Sequence, residues 1–179
     1  KSAHISVHDI CANKNLTGIP VSSVYSSVVS LKGLRISLQL EDNNELEIWV
    51  TDVGNAYLEA YTEEKVFFIC GEEFGDKCGH IMIIIKALYG LKSSGLKWLE
   101  KFSNILTTMG FMESKAERDI WMRKSYGYYE YIVRYLDDLV IMCKDPYELI
   151  RLLEQDHGIK LKGTGPITYY LGCDFFRDK

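Results

Sequence analysis

The chain has 179 residues, 47% of them apolar, which is enough for one domain with a hydrophobic core. Its formal net charge of −4 is unusual for a protein that binds nucleic-acid phosphates by itself, since phosphate binding requires Lys and Arg. Its five cysteines are scattered without a CxxC pair, which argues against a zinc site and favours a reducing, intracellular environment.

The first predicted strand covers residues 46–53, where apolar and β-prone side chains surround Glu47. Asp52 lies at the end of this strand, and the sequence GNAY (54–57) breaks the strand and leads into a turn. A carboxylate at the end of a mostly buried strand costs free energy unless it is paired or binds a metal ion. Asp52 is therefore the first candidate metal ligand.

The middle of the chain predicts a short strand, a turn and a helix. The apolar run 81–85 indicates a buried strand and is too short to span a membrane. A helix is predicted over residues 94–109, because apolar side chains recur every three or four positions and Gly110 follows. The turn before this helix contains Gly90 and Lys92, and the helix N-terminus offers N–H groups to phosphate. An ordinary turn with a Ser N-cap is the alternative interpretation.

The sequence YIVRYLDDLVIMC (131–143) predicts a β-hairpin, because β-forming residues lie on both sides of the turn Leu136–Asp137–Asp138. Two adjacent carboxylates at the tip of an apolar hairpin repel each other, and each raises the pKa of the other unless a cation lies between them. Mg²⁺ or Mn²⁺ would meet this need, since both ions prefer oxygen ligands. The alternative is a simple acidic β-turn, in which Asp is common.

After the hairpin, Asp145 and Pro146 predict the N-cap and the first residue of a second helix, which ends near Gly158. A last short strand is expected around residues 167–173. We expect loops at residues 10–20, 71–80 and 112–127.

The predicted order β-α-β-β-α-β is that of a ferredoxin-like split βαβ sheet, which is an α+β fold. In such a sheet the first strand and the hairpin are central neighbours, so Asp52 would face Asp137 and Asp138 across a small gap. Three carboxylates so placed could bind two metal ions about 4 Å apart, the arrangement used for phosphoryl or nucleotidyl transfer. The fold alone does not establish that function.

Four sequence motifs in the right order and spacing resemble those of the reverse transcriptase of copia-type LTR retrotransposons. TDVGNAYLEAYTEEKVFF is similar to the first Asp motif of that family, and KALYGLKSSGLKW to its LYGLKQS block. YLDD resembles the catalytic box, and YYLGCDFF the closing segment. The resemblance runs from about Val21 to the C-terminus.

The resemblance implies a polymerase palm with a partial fingers subdomain. Residues 1–45 would form a partial fingers segment, and residues 46–179 a palm that ends at the primer-grip turn, with fingers residues interleaved at about 60–95. The first twenty residues depart from the family, because they lack its basic segment, which reads like KARLVA and holds the incoming triphosphate. A start at Lys1 rather than Met suggests a fragment or an internal domain.

The same resemblance implies a metal centre. Asp52 and Asp137 would hold two Mg²⁺ ions, or Mn²⁺, with help from the Val53 carbonyl and with Asp138 as the more peripheral carboxylate. These ions would activate the primer 3′-hydroxyl and neutralise charge on the transferring phosphoryl group.

The resemblance also implies residues that bind substrate. Tyr57 would exclude a ribose 2′-hydroxyl and so select dNTP over rNTP; a core tyrosine is the alternative. Gly90 would lie close to a nucleotide or the template, Lys92 would add a mobile charge there, and Lys160 or Lys162 would lie near the triphosphate. Tyr135 and Leu136 would contact the primer end and its sugar, and Leu171 with Gly172 would form the primer-gripping turn.

The expected partners are an RNA template, a DNA primer, dNTP and the rest of the retrotransposon polyprotein, with its thumb, RNase H and integrase, and no membrane. The expected location is intracellular, in cytoplasmic virus-like particles or in the nucleus. The alternative is a degenerate or domesticated copy that acts, if at all, as a nucleic-acid or protein-binding module. The altered N-terminus favours that alternative, as does Arg134, which either reaches template phosphate or marks decay. A third class, another two-metal nucleotidyl transferase or cyclase on this sheet, would not explain LYGLK and YYLGCDFF.

Overall fold

The computed structural model of the protein describes residues 27–62, 65–91 and 93–177. Within these ranges it is an α+β fold whose strands pair antiparallel. Residue contacts divide it into two compact units. Ala56–Phe102 belong to the first unit, and Ser27–Asn55 belong to the second together with the described residues from Ser103 onward.

The elements follow one another in a simple order. Helix α1 spans Leu31–Asn43, strand β1 Glu47–Val53 and the short helix α2 Ala56–Glu59. Next come β2 (Phe67–Ile69), a 3₁₀ turn (Glu72–Lys77), β3 (Ile81–Ile83) and α3 (Ser94–Thr108). Strands β4 (Met112–Glu113), β5 (Ile120–Lys124), β6 (Tyr129–Tyr135) and β7 (Asp138–Cys143) precede helix α4 (Pro146–Arg151), which continues as a π-helical turn over Leu152–Asp156. Strands β8 (Leu161–Pro166), β9 (Tyr169–Tyr170) and β10 (Cys173–Asp174) complete the described chain.

The second unit is built on a six-stranded sheet with the order β4-β5-β6-β7-β1-β8. Strand β7 lies between β6 and β1, and its residues from Leu139 to Cys143 have no exposed surface. Because both faces of β7 are buried, its successive side chains are apolar and do not alternate between apolar and polar. The predicted pairing of the first strand with the hairpin is confirmed.

Helices cover the two faces of this sheet. On one face, Leu34 of α1 packs in a cluster with Val133, Val140 and Met142. On the other face, the ring of Tyr147 in α4 meets the edge of Trp49 at 4.6 Å between centroids. The sheet therefore buries apolar side chains on both sides.

Local sequence signals placed the second helix correctly but missed the last strand of the six-stranded sheet. Asp145 caps α4 by accepting a hydrogen bond from the Glu148 N–H, and Pro146 is the first helical residue. The short strands β9 and β10 lie where a last strand was expected, around 167–173, but they pair with each other, and the strand that joins the six-stranded sheet is β8. Three glycine or proline residues in LKGTGP hide this strand, because such residues usually mark loops.

The segment predicted as a loop over residues 112–127 contains strands β4 and β5, so that prediction was wrong. Their exposed sides carry Glu113 and Lys124, which obscure the apolar alternation. The predicted loop at 71–80 contains the 3₁₀ turn, and the loop predicted at 10–20 lies outside the described residues.

The first unit contains the two-stranded sheet of β2 and β3. Val66, Ile84 and Leu91 form its small buried cluster. The prediction of a buried strand at 81–85 was wrong in one respect, because Ile81 and Ile83 are 66% and 73% exposed. The apolar composition of residues 81–85 does not reveal that only one face of the two-stranded sheet is covered.

Over the described ranges, no helix combines the length and the apolar character needed to cross a membrane. The cysteines in those ranges, Cys70, Cys78, Cys143 and Cys173, are free thiols.

Arg134 forms a buried ion pair with Asp119 and does not point toward solvent. Both side chains are almost without exposed surface, and the Arg134 guanidinium also donates to the carbonyl oxygen of Ser27 at 3.3 Å. The Arg134 N–H donates to the Asp119 carbonyl at 2.9 Å, which holds the two backbones together. The expectation that Arg134 reaches template phosphate is therefore wrong, since its charge is already compensated inside the fold.

We predict that Arg134→Met lowers the free energy of unfolding by about 3–5 kcal/mol, because it leaves the Asp119 carboxylate buried without its cation. The double variant Arg134→Met/Asp119→Leu should recover most of this loss, since no uncompensated charge remains. Urea unfolding midpoints measure both effects. Arg151→Met is the control, because it breaks the exposed pair with Glu148 and should change the midpoint little. A wild-type midpoint for Arg134→Met would contradict the structural role of the pair.

Candidate active site

The ends of β1 and β7 bring two carboxylates side by side. Asp52 is the direct register partner of Asp138, and the preceding pair is Thr51 with Leu139. Residues opposite each other in an antiparallel pair project to the same face, so both carboxylates lie on the face that α1 covers farther along. The predicted approach of Asp52 to the hairpin is confirmed at this register.

The hairpin turn is tighter than the sequence indicated. Leu136 and Asp137 alone form the loop, and Asp138 already belongs to β7, paired with Tyr135. Leu136 has a φ of 58°, a value that usually requires glycine at the first position of a two-residue turn. The Val53 N–H donates to the Asp137 carbonyl at 2.9 Å, so the end of β1 holds the turn in place.

Strand β8 joins the same strand end from the other side. The Gly54 N–H donates to the Lys160 carbonyl at 2.8 Å, and Lys162 is the register partner of Asp52. A Cβ atom at Gly54 would lie 2.6 Å from Cε of Lys162, so the absence of a side chain at 54 leaves room for this lysine. Lys160 contributes a backbone contact here, whereas Lys162 is the lysine opposite the carboxylate.

The three carboxylates interact electrostatically. Burial raises the pKa of Asp52 above its ordinary value of 3.8, the charge of Asp137 raises it further, and Lys162 partly offsets both effects. Burial also raises the pKa of Asp138, to which the charges of Asp137 and Asp52 add. The strand ends therefore concentrate negative charge that a bound cation would stabilise.

The donor set fits a hard divalent cation, although it is not gathered into a closed cluster. Carboxylate oxygens from neighbouring strand ends are the ligands that Mg²⁺ and Mn²⁺ prefer. Among residues 27–62, 65–91 and 93–177, no three His, Cys, Asp or Glu side chains form a group arranged to hold a metal ion. Strand pairing alone therefore aligns the backbone positions without drawing all three side chains together.

Aromatic residues lie beside this site on the same face. Tyr135 is half-buried and Leu136 is 37% exposed at the hairpin tip. Tyr170 is buried, and its pKa is raised by burial first and then by the charges of Asp138 and Tyr135. Its hydroxyl has no hydrogen-bond partner among the described residues. Sequence reasoning did not select Tyr170, because a tyrosine before a turn gives no distinctive signal.

The predicted primer-grip turn is a tight hairpin. Leu171 and Gly172 join β9 to β10, and both have positive φ, at 47° and 82°. Positive φ at both central residues is the pattern of a type I′ turn, which matches the twist of the strands that it joins.

The remaining predicted site residues belong to the first unit. The ring of Tyr57 lies 4.2 Å from that of Tyr89, and Gly90 has a φ of 96°, which explains why a glycine is present there. Ser94 donates its hydroxyl to the Leu88 carbonyl at 2.6 Å and closes the turn before α3. Lys92 lies outside the described residues.

Comparison with known proteins places these motifs in context. The model of the family described as reverse transcriptase (RNA-dependent DNA polymerase) matches residues 10–179. The chain is 27% identical to the retrovirus-related Pol polyprotein from transposon TNT 1-94 of Nicotiana tabacum over 167 residues. The matched region covers 90% of the chain and 12% of that polyprotein. The chain is 27% identical over 160 residues to the corresponding polyprotein from transposon RE1 of Arabidopsis thaliana, covering 88% of the chain and 11% of the relative. It is 28% identical over 149 residues to the transposon Ty1-NL2 Gag-Pol polyprotein of Saccharomyces cerevisiae, covering 80% of the chain and 8% of the relative. The chain thus spans about a tenth of the length of these relatives.

We predict that Asp138→Asn raises the melting temperature by a few degrees in buffer without divalent ions, because it removes a carboxylate that burial and the neighbouring charges destabilise. The sign follows from the raised pKa of Asp138. The unfolded chain releases this proton at lower pH than the folded chain does, so the carboxylate lowers stability as the pH rises through and above 3.8. The gain from Asp138→Asn should therefore be present at neutral pH and disappear in acid.

Thermal unfolding followed by circular dichroism at several pH values measures this gain. Asp156→Asn is the matched control, since Asp156 is exposed in the π-helical turn. Millimolar Mg²⁺ should raise the melting temperature of the wild type more than that of Asp138→Asn. An equal rise in melting temperature with Mg²⁺ in the two proteins would show that Asp138 does not take part in binding the ion.

Proposed function

The chain belongs to the reverse transcriptase family, and we propose that it is the fingers-palm portion of an RNA-directed DNA polymerase from a copia-type retrotransposon polyprotein. It would add dNTPs to the 3′-hydroxyl of a primer paired with an RNA template. The observation that carries the proposal is the pairing of Asp52 with Asp138 at adjacent strand ends, with Asp137 in the turn beside them.

The proposed fold is a ferredoxin-like polymerase palm. Strands β6, β7, β1 and β8 are neighbours in that order, with α3 between β1 and β6 in the chain and α4 between β7 and β8. This arrangement supports a split βαβ sheet to which β4 and β5 are added at one edge. We propose the fingers at residues 1–45 and at about 60–95, and the palm in the remainder of residues 46–179.

The proposed metal ligands are the carboxylates of Asp52, Asp137 and Asp138 and the Val53 carbonyl. When bound there, two Mg²⁺ or Mn²⁺ ions would activate the primer 3′-hydroxyl and neutralise charge on the transferring phosphoryl group. The raised pKa values of Asp52 and Asp138 support this assignment, because a cation would lower the free energy of both ionised carboxylates.

Residues in each of the two units would position the two substrates. Tyr135 and the exposed Leu136 would contact the primer end and its sugar, and the Leu171–Gly172 turn would hold the primer strand. Lys162, opposite Asp52, is better situated than Lys160 to attract the triphosphate, although Lys160 remains a candidate contact. Tyr57, Gly90 and Lys92 would bind the incoming nucleotide, with Tyr57 selecting the deoxyribose.

The proposed partners follow from the relatives, which are named as Pol and Gag-Pol polyproteins. Thumb, RNase H and integrase portions of the same polyprotein would accompany this chain. A net charge of −4 supports this dependence, because phosphate contacts with template and primer require cations that this chain supplies sparsely. We propose that the protein acts in cytoplasmic virus-like particles or in the nucleus.

The alternative is a degenerate or domesticated copy without catalytic activity, which would act, if at all, as a nucleic-acid or protein-binding module. One experiment distinguishes such a copy from an active polymerase. We predict that the protein, expressed within the reading frame that encodes it, extends a DNA primer on an RNA template with dNTPs and Mg²⁺. Asp137→Asn should lower the rate by more than about 100-fold, since even changes beside metal ligands commonly cost 10–100-fold. Asp156→Asn should retain the wild-type rate.

Near-normal extension by Asp137→Asn would exclude Asp137 from catalysis. No extension by the wild type, combined with a Mg²⁺-dependent rise in its melting temperature, would indicate a copy that binds metal but has lost polymerisation.

We further predict that Tyr57→Val raises the use of ribonucleotides relative to deoxyribonucleotides by roughly 10- to 100-fold, because a smaller side chain leaves room for the 2′-hydroxyl. Single-nucleotide incorporation of dATP and ATP on the same primer and template measures the ratio. Tyr57→Phe keeps the ring and is the matched control. Unchanged sugar discrimination in Tyr57→Val would make Tyr57 a core residue.

A further inference from the structure

Tyr57 has an aromatic neighbour in the first unit that the proposed function does not use. The rings of Tyr57 and Tyr89 lie 4.2 Å apart between centroids, with 40° between their planes. Tyr57 is half-buried, whereas Tyr89 is 47% exposed. An aromatic side chain that leaves nearly half of its surface exposed while it contacts a second ring is poorly explained as a core residue.

The backbone segments that carry the two rings are tied together. The Ala87 N–H donates to the Ala60 carbonyl at 3.0 Å, and the Thr62 N–H donates to the Ile85 carbonyl at 3.2 Å. Tyr61 and Lys86 form an antiparallel bridge between these bonds. The segment after Tyr57 and the segment before Tyr89 therefore form one short ribbon.

The chain beyond each ring is also held. Lys101 donates to the carbonyl and the carboxylate of Glu59, at 2.8 and 3.2 Å, and so fixes the end of α2. On the other side, the Leu91 N–H donates to the Leu88 carbonyl at 3.2 Å, and the Leu91 side chain is buried. Hydrogen bonds therefore hold the backbone on both sides of the contact between the rings.

A steric gate can discriminate only as strongly as it resists displacement. A ribonucleotide that meets the Tyr57 ring can be accepted if the ring turns to another rotamer, so the selectivity is limited by the free energy of that movement. A ring packed against Tyr57 raises this free energy, because the movement would break an aromatic contact.

We propose that Tyr89 is a positioning residue that fixes the ring of Tyr57 and thereby strengthens the choice of dNTP over rNTP. This inference rests on the proposed role of Tyr57 in the polymerase. Tyr89 acts through the Tyr57 ring and does not itself contact the sugar. The LYGLK turn consequently has a role in sugar selection, in addition to any contact with phosphate.

The test compares Tyr89→Ala, Tyr89→Phe, Tyr57→Val and the double variant Tyr57→Val/Tyr89→Ala. The measurement is the ratio of kcat/KM for dATP to that for ATP in primer extension on one RNA template. Loss of folded protein lowers both constants equally, so a purely structural effect leaves this ratio unchanged. Tyr126→Ala is a control for removal of an exposed tyrosine, since Tyr126 is fully exposed in the second unit.

Tyr89→Ala should raise the relative use of ATP by about two- to tenfold, the range expected for loss of one aromatic pair. Tyr89→Phe should match the wild type, because it keeps the ring. The double variant should equal Tyr57→Val, since Tyr89 has no effect once the Tyr57 ring is absent.

The outcomes distinguish this inference from the function on which it rests. A changed ratio in Tyr57→Val with a wild-type ratio in Tyr89→Ala overturns the role of Tyr89 and leaves the gate in place. An unchanged ratio in both variants overturns the gate and this inference together, while the effect of Asp137→Asn still reports on polymerisation. If the wild type does not turn over, equilibrium binding of dATP and ATP to its primer-template complex gives the ratio, and equal affinities overturn the inference.

Discussion

The antiparallel register between β1 and β7 places Asp52 opposite Asp138, and a shift of one residue would turn one of these carboxylates to the other face of the sheet. The buried residues of β7 prevent such a shift, because each would move from an apolar contact to a different environment. The Val53 N–H adds a specific bond to the Asp137 carbonyl at the end of the pairing. The position of the carboxylates is therefore set by the packing of the core beside them.

That packing supports a local arrangement that is unfavourable by itself. Three carboxylates at one strand end repel each other, and Leu136 adopts a backbone conformation that favours glycine. The charge repulsion and the backbone strain both occur at the turn of the hairpin and the adjacent end of β1. The stabilising apolar contacts lie farther along the same strands. The sequence combines a strongly buried hairpin with a destabilised end, as expected where a site is retained for its chemistry.

Much of this site could be predicted from local patterns, and the limits of that prediction have physical causes. Runs of β-forming residues located Asp52 and the hairpin, and the Asp145–Pro146 cap located α4, because these signals lie within a few residues. Helix α1 was missed, since its buried positions include Ser37 and Glu41 and so weaken the apolar stripe. The Asp119–Arg134 pair depends on the alignment of β5 with β6, and the charged sequence before β5, residues 113–119, hides the start of that strand. Whether side chains converge on a metal ion depends on rotamers, which strand order does not determine.

The buried Asp119–Arg134 pair also constrains how this sequence can evolve. A substitution that removes the charge at either position alone leaves the other charge inside the fold without its partner and costs about 3–5 kcal/mol. A substitution at one position is therefore tolerated better when the other position changes with it. We expect the two residues to vary together among related sequences, either as an ion pair or as two apolar residues.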